Sequence, residues 1–417
     1  MHATQVLDTY LKKHCQGIHK TRMRALITAT LALMRGKKLS VTGLGRAIQT
    51  MAKTKHNIKR ADRLVGSATL HQDRPLIYQV MAKLIVGAQR RPVILIDWSD
   101  LSADREFHLL RASIPVAGRA LTLYEESHRQ CDDGNPRVHQ RFLKRLQAVL
   151  PDHCHPIIVT DAGFRTPWFR AVLAMGWDFV GRVGGHMMVS PRGEEDWLHV
   201  ERVFEMATPR GRYLGEIDLV RKAPLTCHAY LLRKKQQGRI KKTVFGERCA
   251  MKHSEKNAHR ERTPWLIVTS LDNQYANTQQ ILHLYKTRMQ IEESFRDIKN
   301  SRWGLSFNEA RCTSTYRYEN LLLVAHLATL AVWMIGKIAE LKQWHRHYQA
   351  NTVKTEKVLS TFFLGLEVIK RGADVFLNGT LWMRLSICVC NTQRLADISD
   401  FVGIGQSLTR FYTIVKN

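Results

Sequence analysis

The sequence predicts an α/β fold, with a central region of strands and helices between two helical regions. Three short apolar runs, rich in β-branched residues, are typical of buried strands: "PVILID" (92–97), "HPIIVTD" (155–161) and "PWLIVTS" (264–270). Apolar residues at helical spacing dominate residues 1–85 and again residues 308–417. We therefore expect an α/β core at 86–307 that is flanked by helices on both sides.

Composition points to a globular protein that meets a polyanion. The chain has 417 residues, of which 44% are hydrophobic, and 64 Lys and Arg outnumber 36 Asp and Glu to give a net charge of +28. Nucleic acid is the first candidate partner, and an anionic membrane surface is the second. The N-terminus lacks the apolar stretch of a signal peptide, and the eight cysteines contain no CxxC pair. These features predict free thiols in a reducing cytoplasm.

The N-terminal region has the order of a helix-turn-helix motif. A helix at 21–36 ends in Gly, Ser40 or Thr42 can cap a short helix, and "TKHNIKRADRLVG" (54–66) is a basic helix. Its candidate DNA contacts are Lys55, Lys59, Arg60 and Arg63. The alternative is an ordinary helical bundle with a solvated basic face, and the sequence leaves both open.

The central and C-terminal elements follow from the same patterns. A hairpin is predicted where Ala117-Gly118 separates "REFHLLRASIPV" from "RALTLYEES", and helices are predicted at 136–150 and 166–175. A strand is expected at 177–185, followed by irregular strand-like pieces to residue 264. The apolar run 321–336 is shorter than the roughly 20 residues of a membrane span and contains His326 and Thr329, which favours a buried core helix.

Two predicted strands end in an aspartate, Asp97 and Asp161. Carboxylates at strand ends lie at the rim of a sheet, where they suit a hard cation such as Mg²⁺. A pair of such ions can activate a nucleophile and hold the leaving oxygen in phosphoryl transfer. The alternative is that both residues only begin turns, as Asp often does. Asp100 in "DWSD" competes with Asp97 for the same role.

A third acid lies in "YKTRMQIEESFRDIKN" (285–300), which we expect to form one helix. At about 100° per residue, five polar side chains fall within a sector of about 80° beside an apolar stripe: Tyr285, Arg288, Glu292, Arg296 and Lys299. Glu292 would be a metal ligand and the cations would hold phosphates. Alternatively, the stripe is a solvated face with i,i+4 pairs of Arg288 with Glu292 and of Glu292 with Arg296.

These residues carry a resemblance to a known family. The spacing Tyr285-x2-Arg288-x3-Glu292-x6-Lys299 resembles the signature of DDE transposases of the insertion-sequence-four family. Further blocks are similar to the insertion-sequence-ten type within it: "TKHNIKRADRLVG", "LIDWSD", "TDAGF", "RMQIEESFRDIK" and "QANTV…VLSTFFLGLEV". They extend over most of the chain.

The resemblance implies a fold and a set of roles. The core would be a ribonuclease-H-like α/β catalytic domain with a β-rich insertion at about 186–264. Asp97, Asp161 and Glu292 would hold two Mg²⁺ ions, for which Mn²⁺ can substitute, while Tyr285, Arg288, Arg296 and Lys299 would contact DNA. Trp265 would stack on a flipped base during hairpin formation, unless it is a core residue. The N-terminal helices would bind transposon ends, and the C-terminal helices would pair two protomers.

The resemblance therefore implies a cut-and-paste transposase in the bacterial cytoplasm, associated with the nucleoid. Its partners would be double-stranded DNA, both the terminal inverted repeats and the target, and a second copy of the chain in a homodimer, with no membrane partner. One alternative is a ribonuclease-H-like nuclease or resolvase without strand transfer. The other is a DNA-binding remnant that has lost catalysis.

Overall fold

The structure is a computed structural model that describes residues 3–102, 104–185, 187–234, 263–353 and 356–372. The chain divides into two compact units. Among the described residues, the first unit consists of those within 3–154 and 289–372, and the second of those within 155–288. Each unit has its own strands, helices and core.

Five helices begin the first unit: α1 Ala3–His14, α2 Lys20–Gly36, α3 Val41–Ala47, α4 Thr54–Val65 and α5 Ala68–Val86. The N–H of Gly43 donates to Ser40 Oγ at 3.2 Å, so Ser40 caps α3 and Thr42, the other candidate, does not. Helices α3 and α4 pack closely, because a Cβ at Gly45 would lie 2.4 Å from the Ile58 Cα. The predicted order of helix, short turn and basic helix is therefore present.

Three antiparallel strands follow in the first unit: β1 Val93–Asp100, β2 Phe107–Pro115 and β3 Ala120–Arg129. The turn between β2 and β3 has Ala117 at φ +56° and Gly118 at φ +93°, the left-handed pair that suits a two-residue hairpin. Helix α6 Pro136–Val149 comes next, with its first turn capped by Asn135. The predicted hairpin and helix are confirmed.

The second unit carries a mixed sheet with the order β4-β5-β10-β9-β8-β6-β7. Only β4 and β5 pair in parallel among its described strands, and the other pairings are antiparallel. The elements are β4 Ile157–Thr160, α7 Thr166–Ala174, β5 Asp178–Val183, β6 Met188–Pro191, β7 Leu198–His199, α8 Val200–Glu205, β8 Arg212–Leu219, β9 Leu225–Leu232, β10 Trp265–Thr269 and α9 Thr278–Thr287. The strands between 187 and 234 thus extend the sheet of β5 and β10.

The remaining helices return to the first unit: α10 Met289–Lys299, α11 Thr315–Leu341, α12 His345–Tyr348 and α13 Thr361–Lys370. Helix α11 is long and apolar enough to cross a membrane, but 89% of its most apolar stretch is buried inside the protein. It packs against α2, α5, β3 and α13. The prediction of a buried core helix at 321–336 agrees with this position.

Helices α11 and α13 approach each other at two glycines. A Cβ on Gly336 would lie 1.8 Å from the Thr361 carbonyl oxygen, and one on Gly365 would lie 2.0 Å from that of Val332. Both distances are far shorter than any van der Waals contact. The contact between these two helices therefore requires glycine at both positions.

The prediction of one helix over 285–299 is wrong at a single residue. Helix α9 ends at Thr287 and α10 begins at Met289, and the Arg288 N–H bonds the Tyr285 carbonyl at 3.1 Å in a tighter i→i+3 turn. The Thr287 hydroxyl donates to the Leu284 carbonyl at 2.6 Å, which competes with the regular ladder. Arg288 itself keeps helical backbone angles, φ −52° and ψ −34°, so the interruption is confined to this one residue.

The cysteines that the structure describes are free thiols. They are Cys15, Cys131, Cys154, Cys227 and Cys312. The sequence prediction of free thiols agrees with these five, and Cys249, Cys388 and Cys390 lie outside the described residues.

Candidate functional site

Asp97 lies inside a strand and not at its end, which corrects the sequence prediction. Strand β1 continues to Asp100 because Trp98, Ser99 and Asp100 still pair with β2. Asp97 is 8% exposed, and its Oδ1 accepts the Trp98 N–H at 2.9 Å. The backbone on both sides is fixed by strand pairing, so the Asp97 carboxylate is held in a defined place.

Alternation along β1 separates the two candidate acids of "DWSD". Asp97 and Ser99 share one face, while Trp98 is on the other and donates from Nε1 to His139 Nε2 of α6 at 3.1 Å. Asp100 is exposed near the end of the strand and lies 3.4 Å from Arg105 Nε. Asp97 is thus the more buried of the two carboxylates, and Asp100 belongs to a solvated set of charges.

Lys299 of α10 reaches the Ser99 face of β1. Its Nζ donates to Ser99 Oγ at 2.7 Å and lies 5.8 Å from the Phe295 ring centroid. Burial lowers the pKa of Lys299 to about 8, against the opposing effect of the Asp100 and Asp97 charges, and Arg111 lowers it further. The sequence suggested Lys299 but not Ser99, although Ser99 stands two residues after Asp97 and therefore shares its face.

Two further predicted site residues, Glu292 and Arg296, also lie on α10. Glu292 is partly buried in the first turn of the helix. Arg296 is exposed and forms an i,i+3 pair with Glu293. Glu293, which stands next to Glu292, is therefore paired with Arg296, and its substitution would release that cation.

Asp161 directly follows β4 in the second unit, as predicted. Its Oδ1 accepts the Gly163 N–H at 2.8 Å, which is the bond of an Asx-turn. Asp161 thus does begin a turn, as the alternative interpretation of this residue predicted. That bond leaves further lone pairs on the carboxylate, so it does not exclude a ligand role.

Tyr285, Trp265 and Arg288 lie together in the second unit. The Trp265 and Tyr285 rings meet edge to face with centroids 5.0 Å apart, and the Arg288 guanidinium carbon lies 6.0 Å from the Tyr285 ring. Burial raises the pKa of Tyr285, as does the Asp161 charge, while Arg288 and Arg182 lower it. Two cations and one candidate acid therefore act on this buried phenol, and Arg182 is the member that sequence reasoning missed.

Trp265 is only partly buried at the start of β10. Besides Tyr285, its ring has the Lys234 ammonium 5.4 Å from the centroid. An accessible indole with a cation beside it differs from a Trp that is enclosed in a core. The base-stacking role of Trp265 stays a prediction.

The four cations of α4 are exposed, while the opposite face of the helix is buried. They are Lys55, Lys59, Arg60 and Arg63. The one acid of this helix, Asp62, pairs with Arg317 of α11 at 2.5 Å. The outward face of α4 is therefore strongly cationic, as an element that binds a phosphate backbone would be.

The donor chemistry of the three acids fits Mg²⁺, which prefers carboxylate oxygens. Within the described ranges, however, no group of three or more His, Cys, Asp or Glu side chains could hold a metal ion. Asp97 and Glu292 belong to the first unit and Asp161 to the second. The assignment of these three carboxylates as metal ligands therefore stays a prediction.

Comparison with protein families identifies a related family. The model of the family described as "Transposase DDE domain" matches residues 88–330, more than half of the chain. The matched range contains Asp97, Asp161 and Glu292. No curated protein matches the chain.

Proposed function

We propose that this chain, which belongs to the transposase DDE domain family, is a cut-and-paste transposase of the insertion-sequence-four family and the insertion-sequence-ten type. Family membership makes it a transposase, an enzyme of DNA transposition and recombination. The proposal adds that it nicks transposon ends, frees them through hairpins, and joins their 3′-OH ends to target DNA. The observation that carries it is the family match over a range that also contains the Tyr285, Arg288, Glu292 and Lys299 spacing.

Asp97, Asp161 and Glu292 are the proposed ligands of two Mg²⁺ ions, with Mn²⁺ as a substitute. When bound, the metal would neutralise charge on the phosphate and activate a water molecule. The chain supplies oxygens whose positions are already fixed, because Asp97 is held within β1 and Asp161 accepts the Gly163 N–H. Preorganised ligands of this kind keep the reacting groups in place without a further ordering cost.

Each step of the proposed reaction exchanges one P–O bond for another. Water attacks the end phosphodiester and releases a 3′-OH, which attacks the opposite strand to close a hairpin. Water opens the hairpin, and the 3′-OH then attacks target DNA. Arg288, Arg296 and Lys299 would hold phosphate oxygens near the reacting bond, with Tyr285 as a neighbouring contact.

The proposed partners follow from the same scheme. The α4 cations would bind the terminal inverted repeats, and a second copy of the chain would complete a homodimer through the C-terminal helices. Residues 308–417 include 373–417, which lie outside the described residues, so the pairing proposal depends on the resemblance alone. The proposed setting is the bacterial cytoplasm, at the nucleoid.

The test is Glu292→Gln. Glutamine is nearly isosteric, so packing changes little, but an amide is a poor Mg²⁺ ligand. DNA binding should persist or tighten, because one negative charge is removed. Nicking and strand transfer should both fall by more than the roughly 10–100-fold that loss of an outer partner of a metal ligand costs. Gel shift and Mg²⁺-dependent nicking are measured on the same labelled transposon end.

The matched control is Glu293→Gln, which removes the same charge from the adjacent residue. It releases Arg296 from its ion pair, so DNA binding can rise while nicking remains near the wild-type rate. If Glu292→Gln nicks as fast as the wild type, the three-acid assignment is wrong. The charged residues of α10 would then be only a solvated, salt-bridged face.

A second variant tests the role of Trp265. If its indole holds a flipped base, Trp265→Ala should nick the first strand normally and accumulate nicked ends without hairpins. Removal of that stacking should cost about 1–3 kcal/mol in the hairpin step. Denaturing gels of labelled ends measure both products. Loss of cooperative thermal melting in the same variant would instead show that Trp265 is a core residue.

A further inference from the structure

The loop that follows α10 presents an aromatic ring to solvent. Trp303 is 54% exposed, although large aromatic side chains are usually mostly buried. The guanidinium carbon of Arg302 lies 4.9 Å from its ring centroid, within the range of a cation–π contact. Arg302 and Trp303 therefore place an aromatic ring, with a cation over it, at the surface.

The loop holds this pair in a fixed geometry. Asn300 Oδ1 accepts the N–H groups of both Arg302 and Trp303, at 2.7 and 2.8 Å. The Gly304 N–H donates to the Asn300 carbonyl at 3.1 Å, and a Cβ at Gly304 would lie 1.8 Å from the Asp297 carbonyl oxygen. The turn is thus closed by hydrogen bonds and packed directly against the end of α10. Preorganisation of this kind lowers the entropy cost of binding.

Packing alone accounts for only part of the position of Trp303. The Phe363 ring of α13 meets it edge to face, with centroids 5.7 Å apart, and supports one side of the indole. A ring whose role was only to pack against α13 would be largely buried, whereas about half of this one is open. Phe363 therefore acts as a support beneath an exposed surface.

The surroundings of the loop are rich in cations. Lys299 ends the preceding helix, and the Leu305 carbonyl accepts the Leu39 N–H at 2.8 Å, which brings the Lys37–Lys38 segment next to the loop. Lys38 Nζ is 3.8 Å from Glu309, a weak and exposed pair. An aromatic side chain among cations is the usual composition of a surface that follows a nucleic acid strand.

We propose that Arg302 and Trp303 form a DNA-contact platform, in which the guanidinium binds a backbone phosphate and the indole stacks on the neighbouring nucleotide. The platform is distinct from Trp265, which belongs to the second unit. The platform proposal rests on the proposed function, because the transposase reaction is what would bring DNA next to α10. The chemistry requires only a phosphate and an adjacent base with an accessible face, so contact with an unpaired nucleotide is expected to be strongest.

The test compares three variants of the full-length protein on a fluorescein-labelled duplex with a single-stranded overhang. Trp303→Phe keeps an aromatic ring, Trp303→Leu keeps an apolar contact with Phe363, and Arg302→Gln removes the cation. Trp303→Leu should weaken binding roughly tenfold, while Trp303→Phe should keep most of the affinity. Arg302→Gln should reduce the slope of log K against log salt by about 0.7–0.9, the value expected when one phosphate is no longer neutralised.

Arg129→Gln is the control for the charge. Arg129 is 61% exposed and lies 5.8 Å from the Phe107 ring, but that ring is buried and offers no stacking surface. Its salt slope should equal that of the wild type. Thermal melting of Trp303→Leu and Trp303→Phe checks the fold, and since both retain apolar contact with Phe363, their difference in affinity reports stacking.

Equal binding by Trp303→Leu and Trp303→Phe, or an unchanged salt slope for Arg302→Gln, would overturn the platform. These results are separable from failure of the proposed function. A wild-type protein that nicks transposon ends while Trp303→Leu binds normally contradicts the platform alone. A wild-type protein that binds DNA through Trp303 but never cleaves it contradicts the transposase mechanism and supports the platform.

Discussion

The exposed cations of α4 and the buried cations Arg111 and Arg74 belong to the same unit but have opposite surroundings. Lys55, Lys59, Arg60 and Arg63 are exposed on α4. Arg111 of β2 is 1% exposed, and Arg74 of α5 is 5% exposed. A strongly basic composition therefore includes cations that no DNA phosphate can reach.

The buried cations are paired with buried acids. Arg111 lies 2.5 Å from Glu125, whose other oxygen accepts the Tyr78 hydroxyl at 2.9 Å. Arg74 donates to the Glu125 carbonyl at 2.9 Å and also pairs with Glu319 of α11. The network ties α5, β2, β3 and α11 together. The difference from α4 is therefore one of surroundings: acids of the fold neutralise the buried cations, whereas the α4 cations face solvent.

The largest expected effect comes from Arg111→Leu. It leaves Glu125 as an uncompensated charge in the core, and loss of one partner of a buried pair costs about 3–5 kcal/mol. Urea unfolding should show that decrease in the free energy of unfolding. The double variant Arg111→Leu with Glu125→Leu should recover much of it, since no lone charge remains.

Lys59→Ala on α4 is the control for that experiment. An exposed substitution of this kind changes stability by no more than about 0.5 kcal/mol. Equal losses for Arg111→Leu and Lys59→Ala would remove the distinction between buried and exposed cations. A double variant as unstable as Arg111→Leu alone would show that the volume of these side chains matters more than their charge.

A smaller effect is expected from pH. His326 of α11 is buried, with its ring 4.9 Å from that of Tyr78. Burial, and then the Arg111 charge, lower the pKa of His326 to about 3. Below pH of about 6.5 the unfolded chain takes up this proton first, so stability is lost as pH falls towards 3.

His326→Gln should therefore flatten the decline of stability between pH 6.5 and 3. Urea midpoints of the wild type and the variant, measured at several pH values, give the two curves. Stability of the wild type above pH 7 is not expected to depend on this proton, since His326 is then neutral in both states. Parallel curves throughout would show that the buried imidazole does not contribute to the acid sensitivity.

The smallest effect on stability, with a clear effect on binding, is expected from Lys55→Ala combined with Arg60→Ala. Both side chains are exposed, so the free energy of unfolding should change by no more than about 0.5 kcal/mol for each. Affinity for the transposon end should fall, and the salt slope should decrease by about 0.9 for each phosphate that is no longer neutralised. Gel shifts over a salt series measure both. An unchanged slope would count against α4 as the element that reads the ends.

Features that depend only on residues close together in the chain could be predicted from the sequence. The Ser40 cap, the Ala117-Gly118 turn and the apolar run of α11 depend on neighbours in the chain, and each could be predicted. The end of β1 could not, because it depends on pairing with β2. The break at Arg288 could not either, because it depends on how the Thr287 hydroxyl bonds within the structure.

The candidate site shows the same division. The spacing of Tyr285, Arg288, Glu292 and Lys299 could be recognised in the sequence, and it falls within the range of the family match. The contact of Lys299 with Ser99 joins residues that are far apart in the chain. The buried pair of Arg111 and Glu125 could not be recognised in the sequence. Every residue of β2 is buried, so the strand lacks the alternation of exposed and buried positions that marks a half-buried strand. Long-range contacts of this kind are set by packing, which residue patterns do not encode.

The glycine contact between α11 and α13 has a genetic consequence. Every single-base change of a glycine codon that alters the amino acid introduces a side chain or a stop. At Gly336 and Gly365 even the smallest side chain would collide with the opposite backbone. Inactivating alleles are therefore expected at these two codons, although no DNA contact is proposed there.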